Sequence, residues 1–110
     1  MDKERTLQIL EETGVVAVIR VDSRAVLMDT TLALAEGGLK GLEITMTSPG
    51  ALGAIEEAVA KLGDRVIIGV GSVLDAVTAR LAILAGAGFV VSPVLKPEIK
   101  IGRASCRERV

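Results

Sequence analysis

One unit recurs along this 110-residue chain, and it limits the folds available. A short apolar, β-branched run is followed by a polar or glycine break, then by an amphipathic stretch of helical period. The runs occupy residues 15–20 (VVAVIR), 41–46 (GLEITM), 66–70 (VIIGV) and 89–92 (FVVS), with starts roughly 23 to 26 residues apart. Continuous apolar runs of this length suit strands covered on both faces of a parallel sheet.

The intervening segments read as helices. Residues 23–37 carry Ala25, Leu27, Met28, Leu32, Leu34 and Ala35 on one apolar face, with Asp22 or Ser23 as cap and Gly37-Gly38 as stop. Residues 49–61 begin at Ser48-Pro49, a cap followed by proline in the first turn, and bury Leu52, Ile55, Val59 and Leu62 before Gly63. Residues 75–85 end at Gly86, and an opening helix over 3–13, with Leu7, Ile9 and Leu10, ends at Gly14. The predicted order is α1(3–13) β1(15–20) α2(23–37) β2(41–46) α3(49–61) β3(66–70) α4(75–85) β4(89–92). Such alternation implies an α/β fold with right-handed parallel crossovers. A complete eight-unit barrel needs about 200–250 residues, so length alone favours an open sheet.

Composition removes several function classes. Thirteen basic and fourteen acidic side chains give a net charge of −1, with no basic excess to neutralise phosphates. One Phe and no Tyr or Trp leave no aromatic platform for nucleic-acid bases. No His is present, and Cys106 is the single cysteine, so histidine-based triads, His-ligated metals and Cys clusters are excluded from this chain. The charged N-terminus lacks a secretory h-region, and the longest uncharged run, 81–95, is shorter than the ~18 residues of a membrane span. A cytoplasmic protein without nucleic-acid or membrane partners is expected.

Polar residues stand out against this apolar background. In β2, Glu43, Thr45 and Thr47 alternate with Leu42, Ile44 and Met46, so the polar set shares one face. Glu43 is then a carboxylate in the interior, where an unpaired charge costs several kcal/mol. It is either a functional group or a structural partner of an arginine, Arg20 being the best placed. Arg20, Thr47, Ser72 and Ser92 all fall at carboxyl ends of strands, where βα folds build their sites. Gly69-Val70-Gly71-Ser72 looks like a phosphate-cradling turn, but Leu74 breaks the G-x-G-x-x-G pattern. These glycines are expected to give space in a crowded interior or beside a ligand. Lys96, in the loop after β4, reads as a solvated side chain.

The blocks GVVAVIR, AEGGLKGLEITMTSPGALGAI, DRVIIGVGSVLDAVTA and AGAGFVVSPVLKPEI, in this order over about residues 1–99, resemble the 2-keto-3-deoxy-6-phosphogluconate/4-hydroxy-2-oxoglutarate (KDPG/KHG) aldolases. The resemblance implies the N-terminal half of a (β/α)8 TIM barrel and a homotrimeric, metal-independent class I aldolase without a cofactor. In that family a Lys on the sixth strand forms a Schiff base with pyruvate. A glutamate on the second strand, matching Glu43, moves protons. An arginine and a hydroxyl after the third strand hold the keto-acid carboxylate. Where some members carry that arginine four residues after the glutamate, this chain has Thr47; Arg20 matches members that place it at the end of β1. Ser72 replaces the usual Thr, and Val94 the usual Gly after S-P.

Neither Lys40, Lys61 nor Lys96 aligns with the Schiff-base lysine, so this chain alone is expected to be inactive. Residues 101–110, IGRASCRERV, carry three Arg against one Glu and resemble a translated sequencing-library adapter. The expected organisation is a truncated barrel domain over 1–99 and a non-native tail over 100–110. The competing readings are a different phosphate-handling barrel and a small open-sheet α/β binding module without catalysis. The module predicts a complete, stable monomer in which Glu43 pairs with Arg20.

Overall fold

In the computed structural model, which describes residues 3–93, each apolar run forms one strand and each amphipathic stretch one helix. The order is α1 Lys3–Thr13, β1 Ala17–Ile19, α2 Arg24–Glu36, β2 Gly41–Thr45, α3 Ala51–Leu62, a 3-10 turn Gly63–Arg65, β3 Ile67–Gly71, α4 Ala76–Ala85 and β4 Phe89–Val90. The expectations on Val94, Lys96 and the tail lie outside the described residues.

Local chemistry fixes most boundaries. Ser23 caps α2 by accepting the Val26 amide at 3.2 Å, and Asp75 caps α4 by accepting the Thr78 amide at 2.7 Å. Gly86, at φ 113°, closes α4 in the left-handed conformation that favours glycine. The start of α3 departs from expectation. Ser48 does not cap it, and Pro49 precedes the helix. The N-cap is Gly50, at φ 69° with no side-chain cap bond, because the Ser48 hydroxyl is engaged by the Val21 amide. Strand β3 runs one residue later than its apolar run suggests. Pairing with β2 sets its limits, Ile67 opposite Gly41 and Gly71 opposite Thr45.

All four strands are parallel and lie in the order β1-β2-β3-β4. A doubly wound sheet reverses its order at a switch point, and this one does not. Consecutive right-handed crossovers therefore lay the helices on one face, where α2 packs on α3 and α3 on α4. This is the arrangement of four successive units of a (β/α)8 barrel, and it overrides the length argument for an open doubly wound sheet.

The core lies between sheet and helices. Leu27, Leu42, Ile44, Ile55, Val70 and Val73 are fully buried there. Small residues bring α3 and α4 close, with Ala54, Ala58, Ala79 and Ala82 all fully buried. Two helical residues were not expected inside. Thr31 of α2 is buried, with its hydroxyl donating to the Leu27 carbonyl at 2.7 Å. Thr6, not Leu7, is the buried residue of α1; Leu7 is exposed, and the Leu10 side chain reaches Gly41 at the start of β2. Ala25, expected on the apolar face of α2, is exposed. On the other face of the sheet Val18, in register with Glu43, is 60% exposed.

Candidate active site

Strand parity places Glu43 as expected. It sits mid-strand in β2, in register with Val18 of β1 and Gly69 of β3, on the face away from the helices. Gly69 is in turn in register with Phe89 of β4. Glu43 is nonetheless only 9% exposed. Two glycines of β3 explain how the interior accommodates these side chains. A Cβ on Gly69 would collide with the Phe89 ring, and one on Gly71 would collide with Glu43 Oε1 and lie 2.7 Å from its Cδ. The G-V-G-S segment therefore holds protein side chains, an aromatic ring over the first glycine and a carboxyl over the second.

Burial raises the Glu43 pKa above its ordinary value, and the positive charge of Arg20 opposes that shift. The two do not form an ion pair: among the described residues the salt bridges are Arg24–Glu57 at 3.6 Å and Lys61–Glu57 at 3.4 Å, both on the surface. The structural alternative, a Glu43–Arg20 pair, is thus reduced to a longer-range attraction. The reason is position. Arg20 lies beyond the end of β1 and is exposed, whereas Glu43 lies within β2.

Arg20 is held by its neighbours. On one side the Ile19 carbonyl accepts the Thr45 hydroxyl at 3.3 Å; on the other the Val21 amide donates to Ser48 Oγ at 3.2 Å. Thr45 Oγ1 lies 2.9 Å from Thr47 Oγ1 and 3.4 Å from Ser48 Oγ. Two hydroxyls at the end of β2 thereby fix the backbone on both sides of Arg20, and a third, of Thr47, bonds to that of Thr45. Ser48, 3% exposed, is the member that sequence reasoning missed, since it was read as a helix cap. The S/T-rich string T-M-T-S was the available signal.

Ser72 directly follows β3 and has φ 59°, the one left-handed residue other than glycine among the described residues. Non-glycine residues adopt this region at a cost, and such strain clusters at functional sites. The loop behind it is tied to β4 by Val73 N donating to Val91 O at 3.2 Å, and Val91 N donates to Val70 O at 2.8 Å. Ser92 is half-buried beyond the end of β4, and Thr47 is exposed beyond the end of β2. Arg20, Thr47, Ser72 and Ser92 therefore lie at one end of the sheet, as their positions at carboxyl ends required, and Glu43 lies below them within it.

A family profile described as KDPG and KHG aldolase matches residues 7–107. The chain belongs to this aldolase family. The 2-dehydro-3-deoxy-phosphogluconate aldolase of Pseudomonas aeruginosa is 37% identical over 91 residues, covering 83% of this chain and 41% of the relative. Among solved structures, the 2-keto-3-deoxy-6-phosphogluconate aldolase of Zymomonas mobilis superposes with a TM-score of 0.72 at 31% identity, covering 84% of this chain and 44% of that one. The KDPG aldolase of Legionella pneumophila, solved with pyruvate captured as a covalent carbinolamine intermediate, gives a TM-score of 0.71 at 28% identity over 86% of this chain and 45% of that one. This chain thus spans less than half the length of these aldolases and corresponds to the N-terminal half of their barrel. Among the described residues, no helix is long and apolar enough to cross a membrane.

Proposed function

We propose that this chain supplies the N-terminal half of the active site of a class I, Schiff-base aldolase. Its substrates are 2-keto-3-deoxy-6-phosphogluconate, cleaved to pyruvate and glyceraldehyde 3-phosphate, and/or 4-hydroxy-2-oxoglutarate, cleaved to pyruvate and glyoxylate. The observation that carries the reading is Glu43, a buried carboxyl on the inner face of β2 with no ion-pair partner among the described residues. Burial raises its pKa above the ordinary carboxylate value, which favours holding a proton that it can give and take back.

In this reading the Schiff-base lysine makes the keto carbon an electron sink. Glu43 moves protons as the Schiff base forms. It then takes the proton of the substrate hydroxyl while the carbon–carbon bond breaks, its electrons passing into the iminium to give an enamine. Arg20 holds the keto-acid carboxylate, with the hydroxyls of Thr47, Ser72 and Ser92 around it. No lysine lies on the four described strands; in this reading the Schiff-base lysine belongs to the sixth strand of the whole barrel, and the 110-residue chain alone is inactive. In this reading the whole enzyme is a cytoplasmic homotrimer and residues 100–110 are a non-native tail, although the family profile runs to residue 107.

Borohydride trapping with pyruvate tests the reading. The chain alone should form no adduct. Mixed with the C-terminal half of the Pseudomonas aeruginosa aldolase, it should restore both adduct and cleavage, and Glu43→Gln should lower cleavage by about 10²–10⁴-fold. An adduct on the chain alone, or full cleavage with Glu43→Gln, overturns it. Sequencing the locus past codon 99 tests the tail: a frame continuing into a lysine-bearing strand is expected, and a natural stop after Val110 argues against it.

A further inference from the structure

We propose that Gly71 is a positioning residue for Glu43: the missing side chain leaves the one slot in which the carboxyl is held, because Phe89 already fills the equivalent space over Gly69. This rests on the proposed role of Glu43 in proton transfer, and it assigns a task to a strand residue that has no side chain.

The register carries the argument. Glu43 is opposite Gly69 and Thr45 is opposite Gly71. A glutamate would ordinarily find room beside the residue in its own row. Here that room, over Gly69, is taken by the ring of Phe89 from β4. The Glu43 side chain instead leans one row toward the carboxyl end of the sheet, and its Oε1 and Cδ lie where a Gly71 side chain would be. That direction is toward Arg20 and Ser72. The Thr45 hydroxyl, in the Gly71 row, turns the other way toward the Ile19 carbonyl and leaves the slot clear. Neither glycine has a left-handed φ, so alanine suits the backbone at both. The requirement at each is for space.

Gly71→Ala puts a methyl group on the carboxyl position and forces Glu43 out. Two readouts on the 110-residue chain follow, neither of which needs pyruvate or activity. By carbon-13 carboxyl NMR, the Glu43 titration should fall toward that of an exposed glutamate in Gly71→Ala. In thermal unfolding, Gly71→Ala should lower Tm, and Gly71→Ala combined with Glu43→Ala should recover most of the loss, although Glu43→Ala removes side-chain volume. If Gly71→Ala does not fold, cooperative unfolding of the double variant supports the proposal, and failure of the double variant to fold overturns it. An unchanged Glu43 titration, or a Tm loss that Glu43→Ala does not relieve, also overturns it. Failure of the aldolase reading shows separately, as absence of cleavage in the mixed halves while these two readouts hold.

Discussion

Ser48 Oγ accepts the backbone amide of Val21 at 3.2 Å, a bond between residues 27 apart in sequence. It ties the loop that carries Arg20 to the end of the strand that carries Glu43. Ser48→Ala removes the acceptor and leaves a partly buried amide without its partner, at a cost of about 1–2 kcal/mol. Urea unfolding should show that loss, and hydrogen exchange should show faster exchange at the Val21 amide.

Stability should depend on pH through Glu43. Its folded-state pKa lies above its ordinary value of 4.5, because burial penalises the charged form more than Arg20 favours it. The folded state thus binds more protons than the unfolded state in the interval between the two values. The stabilisation is fully present below the unfolded pKa and is lost as pH rises through the folded one. Glu43→Gln removes this dependence. Thermal scans from pH 4 to 8 should find the variant gaining in Tm relative to the parent as pH rises.

The Arg20 charge acts on Glu43 without contact. Arg20→Gln removes the attraction that holds the carboxyl pKa down, leaving burial unopposed. The Glu43 titration in carbon-13 spectra should move further upward. Added salt should produce a smaller shift in the same direction, since Arg20 is exposed and screened by ions.

Phe89 is the one aromatic side chain and is 6% exposed in a strand of two residues. Phe89→Ala empties the space over Gly69 and should cost about 3–5 kcal/mol in urea unfolding. Val91→Ala, one residue beyond β4 and 41% exposed, should cost far less.

The repeating unit was legible because strand and helix periods are written locally. Ser23, Asp75 and Gly86 act within one turn of the helices they bound, so their roles follow from neighbours in sequence. Ser48 misled for the opposite reason: its partner comes from another unit, and a long-range bond took the hydroxyl that a local rule assigned to α3. The inward direction of Glu43 followed from a period of two. The absence of a Glu43–Arg20 ion pair did not, since it depends on how far Arg20 lies beyond β1. Gly69 and Gly71 announced a need for space, but only strand register shows that a ring fills one and a carboxyl the other. Thr6 and Thr31 are polar by composition and buried by position, a distinction no apolar pattern records.

In the β1-β2-β3-β4 order, each strand meets only the strand made just before it and the one made just after. Every sheet contact therefore closes a loop of one βα unit, and each doubling of a closed loop adds only about 0.6 kcal/mol of entropy to overcome. A chain leaving the ribosome can add each of these four units to those already formed. The topology orders assembly in time as well as in space, with β1 and β2, and the Arg20 and Glu43 they carry, brought together first.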